Sequence, residues 1–272
     1  MQGELDADLS RDGIVVASRG MIAEVMIDQP PLNYFDHRMI AAMAEAFDAL
    51  GERDTCRAIV LTAAGRVFCA GADFGKPSEF NDDGEVSGAP GHDELKALYE
   101  SAARLFGGRK PVIAAIHGAA IGGGFGLAMM ADFRVTCSEA RFSANFARLG
   151  IHPGFGLTVT LPRLVGPQTA SLVFQTARRF TGDEAISLGL ADKLVAKDEV
   201  QTAAFALAEE IATNAPLAVQ ATRAVLRAGL ADQVRAATPS ELEIQTALRK
   251  TADFREGIDA AMARRTPVFV GA

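Results

Sequence analysis

Five glycines, Gly118, Gly122, Gly123, Gly124 and Gly126, fall between an apolar run, Pro111 to Ile116, and an apolar segment, Phe125 to Ala131. The first run predicts a buried strand and the second a buried helix, so the glycines open a helix at its N-terminal end. The first turn of a helix leaves its amides without intrahelical partners, and the helix dipole favours negative charge there. Glycine lets a ligand approach that backbone without a Cβ in the way. Two readings stay open on these residues alone: close packing of the helix, or a site that receives a developing negative charge. The spacing excludes a dinucleotide fingerprint, because Gly122 and Gly124 would need glycine or alanine at Leu127, and no Gly-Lys-Ser/Thr follows to make a P-loop.

Other polar residues that bear on chemistry are few. His152 precedes Pro153-Gly154 in an otherwise apolar stretch and is the first candidate for an acid or base, since imidazole serves as either near neutral pH. Its bland reading is a buried side chain bonded to backbone. His117 is expected to tether its strand to a neighbour, and Asp73 to stabilise its loop through backbone N–H groups. Asn145 and Arg148, and the loop acids Glu79, Asp82, Asp83 and Glu85, complete the set.

The elements that would position these residues can be read in order. Ile14 to Ala17 and Ile22 to Ile27 predict a hairpin. Asp36 is the expected N-cap of a helix over Arg38 to Leu50, ended by Gly51. Ala58 to Thr62 predicts a strand, and Val67 to Phe74 is a small-residue stretch suited to close backbone approach. Gly75 to Asp93 predicts a mobile surface loop with His92 solvated at its end. A helix follows over Leu95 to Phe106. Asp132 to Thr136 and Arg141 to Ala144 predict strands, Leu157 to Val165 and Thr169 to Ala177 helices parted by Gly166-Pro167. Thr181 caps a short helix ending at Gly189, Leu194-Val195 is a last strand, and the pattern is helical from Asp198 onward. Strands alternating with helices, then a helical tail, predict an α/β domain with a C-terminal helical extension. No 20–50 residue repeat is visible.

The 272 residues suffice for a full core, and 49% are hydrophobic. A net charge of −7 argues against nucleic acid as the main partner, while leaving room for a local basic patch facing a phosphorylated ligand. Cys56, Cys69 and Cys137 show neither metal-ligand spacing nor a disulfide framework and fit the cytoplasm. Pro111 to Ala131 carries no Asp, Glu, Lys or Arg, but its glycines, proline and histidine argue against a membrane span. Met1 to Gly13 lacks the pattern of a secretory signal.

Taken together, Phe68-Cys69-Ala70-Gly71-Ala72-Asp73, Ile116-His117-Gly118 through Gly124, Met129-Met130-Ala131-Asp132, Gly150-Ile151-His152-Pro153-Gly154, Leu164-Val165-Gly166, Thr181-Gly182 with Ala185 and Gly189-Leu190, and Arg264-Arg265-Thr266-Pro267 resemble the crotonase superfamily, the enoyl-CoA hydratase/isomerase family. The resemblance spans about residues 12 to 269. It implies a spiral of ββα turns over residues 1–197, a helical C-terminal oligomerisation region over 198–272, and a homotrimer or hexamer. It implies an acyl-CoA thioester as substrate, with no separate cofactor and no metal. The N–H groups of Ala72 and Gly123 match the family's two oxyanion-hole donors, Ala70 and Asp73 lie in the motif that meets CoA, and Arg264 matches a basic position that contacts CoA phosphates.

Two departures from that pattern shape the expected reaction. The positions of the family's hydratase glutamates hold Gly126 and, on an ungapped alignment, Phe146, neither of which transfers a proton. Aspartates used by some isomerases would fall at Gly126 or Gly154. The expected activity is therefore enolate stabilisation in isomerisation, decarboxylation or hydrolysis, in a roomier and more apolar cavity. Against it stand an acyl-CoA-binding or assembly protein without catalysis, and a hydratase whose acid and base come from other positions.

Overall fold

The computed structural model describes residues 3–72 and 91–272. The expected loop acids Glu79, Asp82, Asp83 and Glu85, with Asp73, lie outside the described residues.

A seven-stranded sheet forms the floor. Its strands, β1 (Glu4–Leu5), β2 (Ile14–Arg19), β3 (Ile22–Ile27), β5 (Ala58–Ala63), β7 (Val112–Ile116), β9 (Phe133–Thr136) and β12 (Lys193–Leu194), lie side by side in sequence order. β2 and β3 form the expected antiparallel hairpin, and from β3 onward the strands run parallel. Short strands make a second layer: β4 (Tyr34–Phe35) pairs with β6 (Gly71–Ala72), and β8 (Ala119–Ile121) with β10 (Arg141–Ser143), which also holds β11 (Phe180–Thr181).

Each winding therefore gives one strand to the floor and a short one to the second layer before a helix: β3, β4 and α1 (His37–Glu52); β5, β6 and α2 (His92–Leu105); β7, β8 and α3 (Gly123–Met130). This is the crotonase-like α/β spiral that the resemblance implies. Its repeat is invisible in sequence because the windings begin at unequal intervals, at Ile22, Ala58, Val112 and Phe133.

Asp36 caps α1 as expected, its Oδ1 accepting from the Met39 amide at 2.9 Å. Gly51 does not end that helix, which runs on to Glu52. A glycine inside a helix costs about 1 kcal/mol relative to alanine, too little to stop one whose apolar face is buried. His92 is not a loop residue but the first residue of α2, exposed, with Nδ1 3.4 Å from Thr246 Oγ1. α4 (Leu157–Thr176) is broken at Gly166, at the Gly166-Pro167 boundary expected. Thr181 and Glu184 cap α5 (Gly182–Ser187) reciprocally.

The C-terminal helices α6 (Val200–Ala212), α7 (Pro216–Leu226), α8 (Leu230–Leu248) and α9 (Ala252–Met262) pack back on the spiral. α6 covers β5, β7 and β9, α8 lies on α2 and α4, and α9 on the 3₁₀ turn Asn145–Leu149. Asp132, expected to begin a strand, instead anchors this packing. Its carboxylate accepts from the Val112 amide (2.8 Å), Arg223 Nε (2.8 Å) and Arg227 (3.1 Å). Burial beside Arg223 and Arg134 lowers the Arg227 pKa to about 10, opposed by the Asp132 charge. Among the described residues no helix is long and apolar enough to cross a membrane.

Candidate active site

A cavity of about 420 Å³ lies where the second-layer strands, the start of α3 and the helices α2, α8 and α9 meet. Its geometry starts from one bridge. Cys69 and Ala120 pair in parallel: the Cys69 amide donates to Ala119 O and the Ile121 amide to Cys69 O, both at 3.0 Å. Ala72 and Gly123 each lie three residues beyond that pair, and both line the cavity, together with Ala70 and Gly122.

The approach is close enough to demand glycine. A Cβ on Gly124 would stand 2.1 Å from Cys69 O, and one on Gly71 would stand 3.0 Å from the Gly123 amide nitrogen. Gly122 caps α3 at φ +56°, ψ −119°, a conformation closed to other residues. The first helical bond of α3 runs from the Gly126 amide to Gly122 O at 3.1 Å, so the Gly123 and Gly124 amides come before it. Cys69 sits behind this corner fully buried, and burial pushes its thiol up to about 12. It is a packing residue rather than a nucleophile.

The rest of the wall is mainly apolar, with Phe35, Phe146 and Phe155 at its centre and Leu95 and Leu98 from α2. Among the described residues no Asp, Glu or His side chain lines it. At Gly126 and Gly154, two of the positions where the resemblance implies carboxylates, the space is filled from elsewhere. A Cβ on Gly126 would lie 3.0 Å from the Phe155 side chain, and one on Gly154 2.0 Å from the Tyr99 hydroxyl. The room expected from Gly126 is therefore not added to the cavity, because Phe155, packed against Phe35 with ring centroids 5.5 Å apart, fills it.

Polar contacts reach the cavity from the helical region, which the sequence did not signal. Tyr99 donates its hydroxyl to Gln245 Oε1 at 2.9 Å, and Gln245 Nε2 donates to His152 O at 2.7 Å. Burial raises the Tyr99 pKa, so the phenol stays protonated at neutral pH. One turn before Gln245, Glu241 accepts from the Gly156 amide (2.8 Å) and the Thr158 amide (3.1 Å) and so caps α4.

His152 does not line the cavity; its Nδ1 lies 2.7 Å from Pro153 O, so the bland expectation of a backbone-bonded histidine describes it and an acid or base role gains no support. His117 tethers its strand as expected, Nε2 lying 3.0 Å from Gly65 O. Arg264 is exposed and lines a second cleft of about 690 Å³, which shares Asn145, Leu149, Arg179 and Ala261 with the first cavity.

The family model for enoyl-CoA hydratase/isomerase matches residues 17–272. The carnitinyl-CoA dehydratase of Proteus mirabilis is 33% identical over 261 residues, covering 94% of this chain and 97% of that protein. The carnitinyl-CoA dehydratase of Salmonella typhi is 32% identical over 265 residues, covering 96% and 99%. Among solved structures, an enoyl-CoA hydratase/isomerase from Pseudoalteromonas atlantica superposes with a TM-score of 0.80 at 26% identity, covering 95% of this chain and all of that one. An enoyl-CoA hydratase from Mycobacterium avium subsp. paratuberculosis gives 0.78 at 25% identity, covering 95% and 98%.

Proposed function

Since the chain belongs to the enoyl-CoA hydratase/isomerase family, we propose that it binds an acyl-CoA thioester with the carbonyl oxygen on the N–H groups of Ala72 and Gly123. These donors then stabilise that oxygen as it becomes enolate-like. The observation that supports this reading is that both residues line one cavity just beyond the Cys69–Ala120 bridge, where a Cβ on Gly71, next to Ala72, would stand 3.0 Å from the Gly123 amide nitrogen. Donors fixed in advance where charge develops cost no reorganisation during the reaction, and one of them is worth about 2.7–4 kcal/mol of barrier.

Of isomerisation, decarboxylation and hydrolysis, decarboxylation fits the described wall best. Isomerisation needs a base to take a proton from carbon, and hydrolysis needs one to activate water; no Asp, Glu or His side chain among the described residues offers it. Loss of CO₂ needs none. The bond from the α-carbon to the carboxylate breaks, its electron pair forms the enolate, and the α-carbon then takes a proton from water. The chain would act in this way as a homotrimer or hexamer in the cytoplasm.

A second reading is dehydration of a β-hydroxyacyl-CoA, favoured by the near full-length relation to carnitinyl-CoA dehydratases. A panel of malonyl-, methylmalonyl-, carnitinyl- and crotonyl-CoA with product analysis separates the readings. CO₂ release supports the first; loss of water from carnitinyl-CoA, or the reverse addition of water to crotonyl-CoA, supports the second. Binding without any product leaves an acyl-CoA-binding protein.

A further inference from the structure

The cleft that adjoins the acyl cavity is strongly basic in a protein that is acidic as a whole. Arg148, Arg178, Arg179, Arg264 and Arg265 line it, and no carboxylate does among the described residues. Two of these cations are already engaged. Arg265 pairs with Glu256, and Arg178 stacks over the Phe180 ring at 4.5 Å. Arg148, Arg179 and Arg264 form no ion pair within the described residues. These side chains are exposed, and cations gathered along one cleft raise the local concentration of anions there.

The position of the cleft narrows what that anion is. Asn145 and Arg179 line both cavities, and Asn145 Oδ1 lies 3.0 Å from where a Cβ on Gly122 would stand, beside the Gly123 amide. The basic cleft thus begins next to the corner assigned to the thioester oxygen. The phosphates of CoA are a whole pantetheine arm away from that oxygen, and Arg179 lines the same cavity as Ala72 and Gly123, which favours the acyl chain as the part of the ligand it meets. Guanidinium forks bind carboxylate oxygens in pairs.

We propose that this wall recognises a carboxylate on the acyl group, with Arg179 as the principal contact and Arg148 lending charge, so that the substrates are carboxyacyl-CoA thioesters. The inference rests on the acyl-CoA reading above and gives it a substrate class. It also gives orientation, because an anchored carboxylate fixes the direction of the bond to be broken relative to the thioester plane. A neutral product would lose that anchor and leave. An acyl group ending in a cation, as in carnitinyl-CoA, would be disfavoured.

Calorimetric titration of the full chain with succinyl-CoA, butyryl-CoA, carnitinyl-CoA and free CoA tests this. Succinyl- and butyryl-CoA have equal chain length and differ in a terminal carboxylate. The expected result is a preference for succinyl-CoA of about tenfold or more, as for a charge-assisted hydrogen bond. That ratio should fall toward one in Arg179→Gln and in the Arg148→Gln, Arg179→Gln pair. Equal affinities in the wild type, or a preference that survives in the double variant, would overturn the proposal. So would a loss of free-CoA affinity as large as the loss for succinyl-CoA, which would assign the cleft to the phosphates. Butyryl-CoA binding without carboxylate preference defeats this inference alone; failure of every thioester to bind defeats the acyl-CoA reading as well.

Discussion

The Phe155 side chain stands 3.0 Å from the point to which a Cβ on Gly126 would project, and so occupies the space of any side chain at that position. Gly126 and Phe155 are thus one packing unit. Restoring a carboxylate there is a steric problem before it is a chemical one. Gly126→Ala is expected to lose about 1–3 kcal/mol to overpacking, and Gly126→Glu more, without gaining crotonyl-CoA hydration. Combining Gly126→Ala with Phe155→Leu should recover part of the loss. Urea unfolding of the single and double variants measures the coupling; additive losses would show that the two sites do not share space.

Asp132→Ala is expected to cost about 3–5 kcal/mol, because it strands buried Arg223 and Arg227 without their counter-charge. Denaturant melts read this directly. A loss below about 1 kcal/mol, the level of an exposed pair, would mean that α7 is not docked through this carboxylate.

Histidine and asparagine should separate kinetically. His152 faces the Pro153 carbonyl, so His152→Ala is expected to change turnover by less than about threefold, whereas Asn145→Ala, at the wall between the two cavities, should lower it about tenfold or more. Steady-state assays on the substrate identified by the panel decide. The reverse order would return the acid or base role to His152.

The C-terminal tail should respond to acid. Arg265 and the Val268 amide hold the Glu256 carboxylate at a pKa of about 2, below the ordinary 4.5. A group depressed in the folded state contributes stability that is complete above its unfolded pKa and lost as pH falls through the folded value. Docking of the tail is therefore expected to be pH-independent above about 4.5 and to fail progressively from there toward 2. Amide exchange at Val268, which donates to Glu256, measures it as a function of pH, and Glu256→Gln should show the acid-released state already at neutral pH. Unchanged protection in that variant would count against the contact.

Much of this was legible locally. The Asp36 cap, the Thr181–Glu184 capping pair and the break at Gly166 follow from side chains that bond their own neighbourhood. The glycine run could be read as close backbone approach, which Gly124 against Cys69 O embodies. Strands β4 and β6 left no periodic trace, being two residues long, yet they place Ala72. Tyr99 meets Gln245 only because α8 folds back over the spiral, and Arg264 reaches the cleft of Arg148 and Arg178-Arg179 only because α9 does. Asp132 read as a strand residue because its partners, Arg223 and Arg227, lie some ninety positions later.

Enolate stabilisation depends on where the thioester oxygen sits. A crystal structure of the protein with an unreactive acyl-CoA thioester bound is the most direct measurement. The account predicts the carbonyl oxygen at roughly 2.7–3.1 Å from both the Ala72 and the Gly123 amide nitrogens, the range of an effective oxyanion hole. A carbonyl bound elsewhere, or held by neither amide, would contradict it.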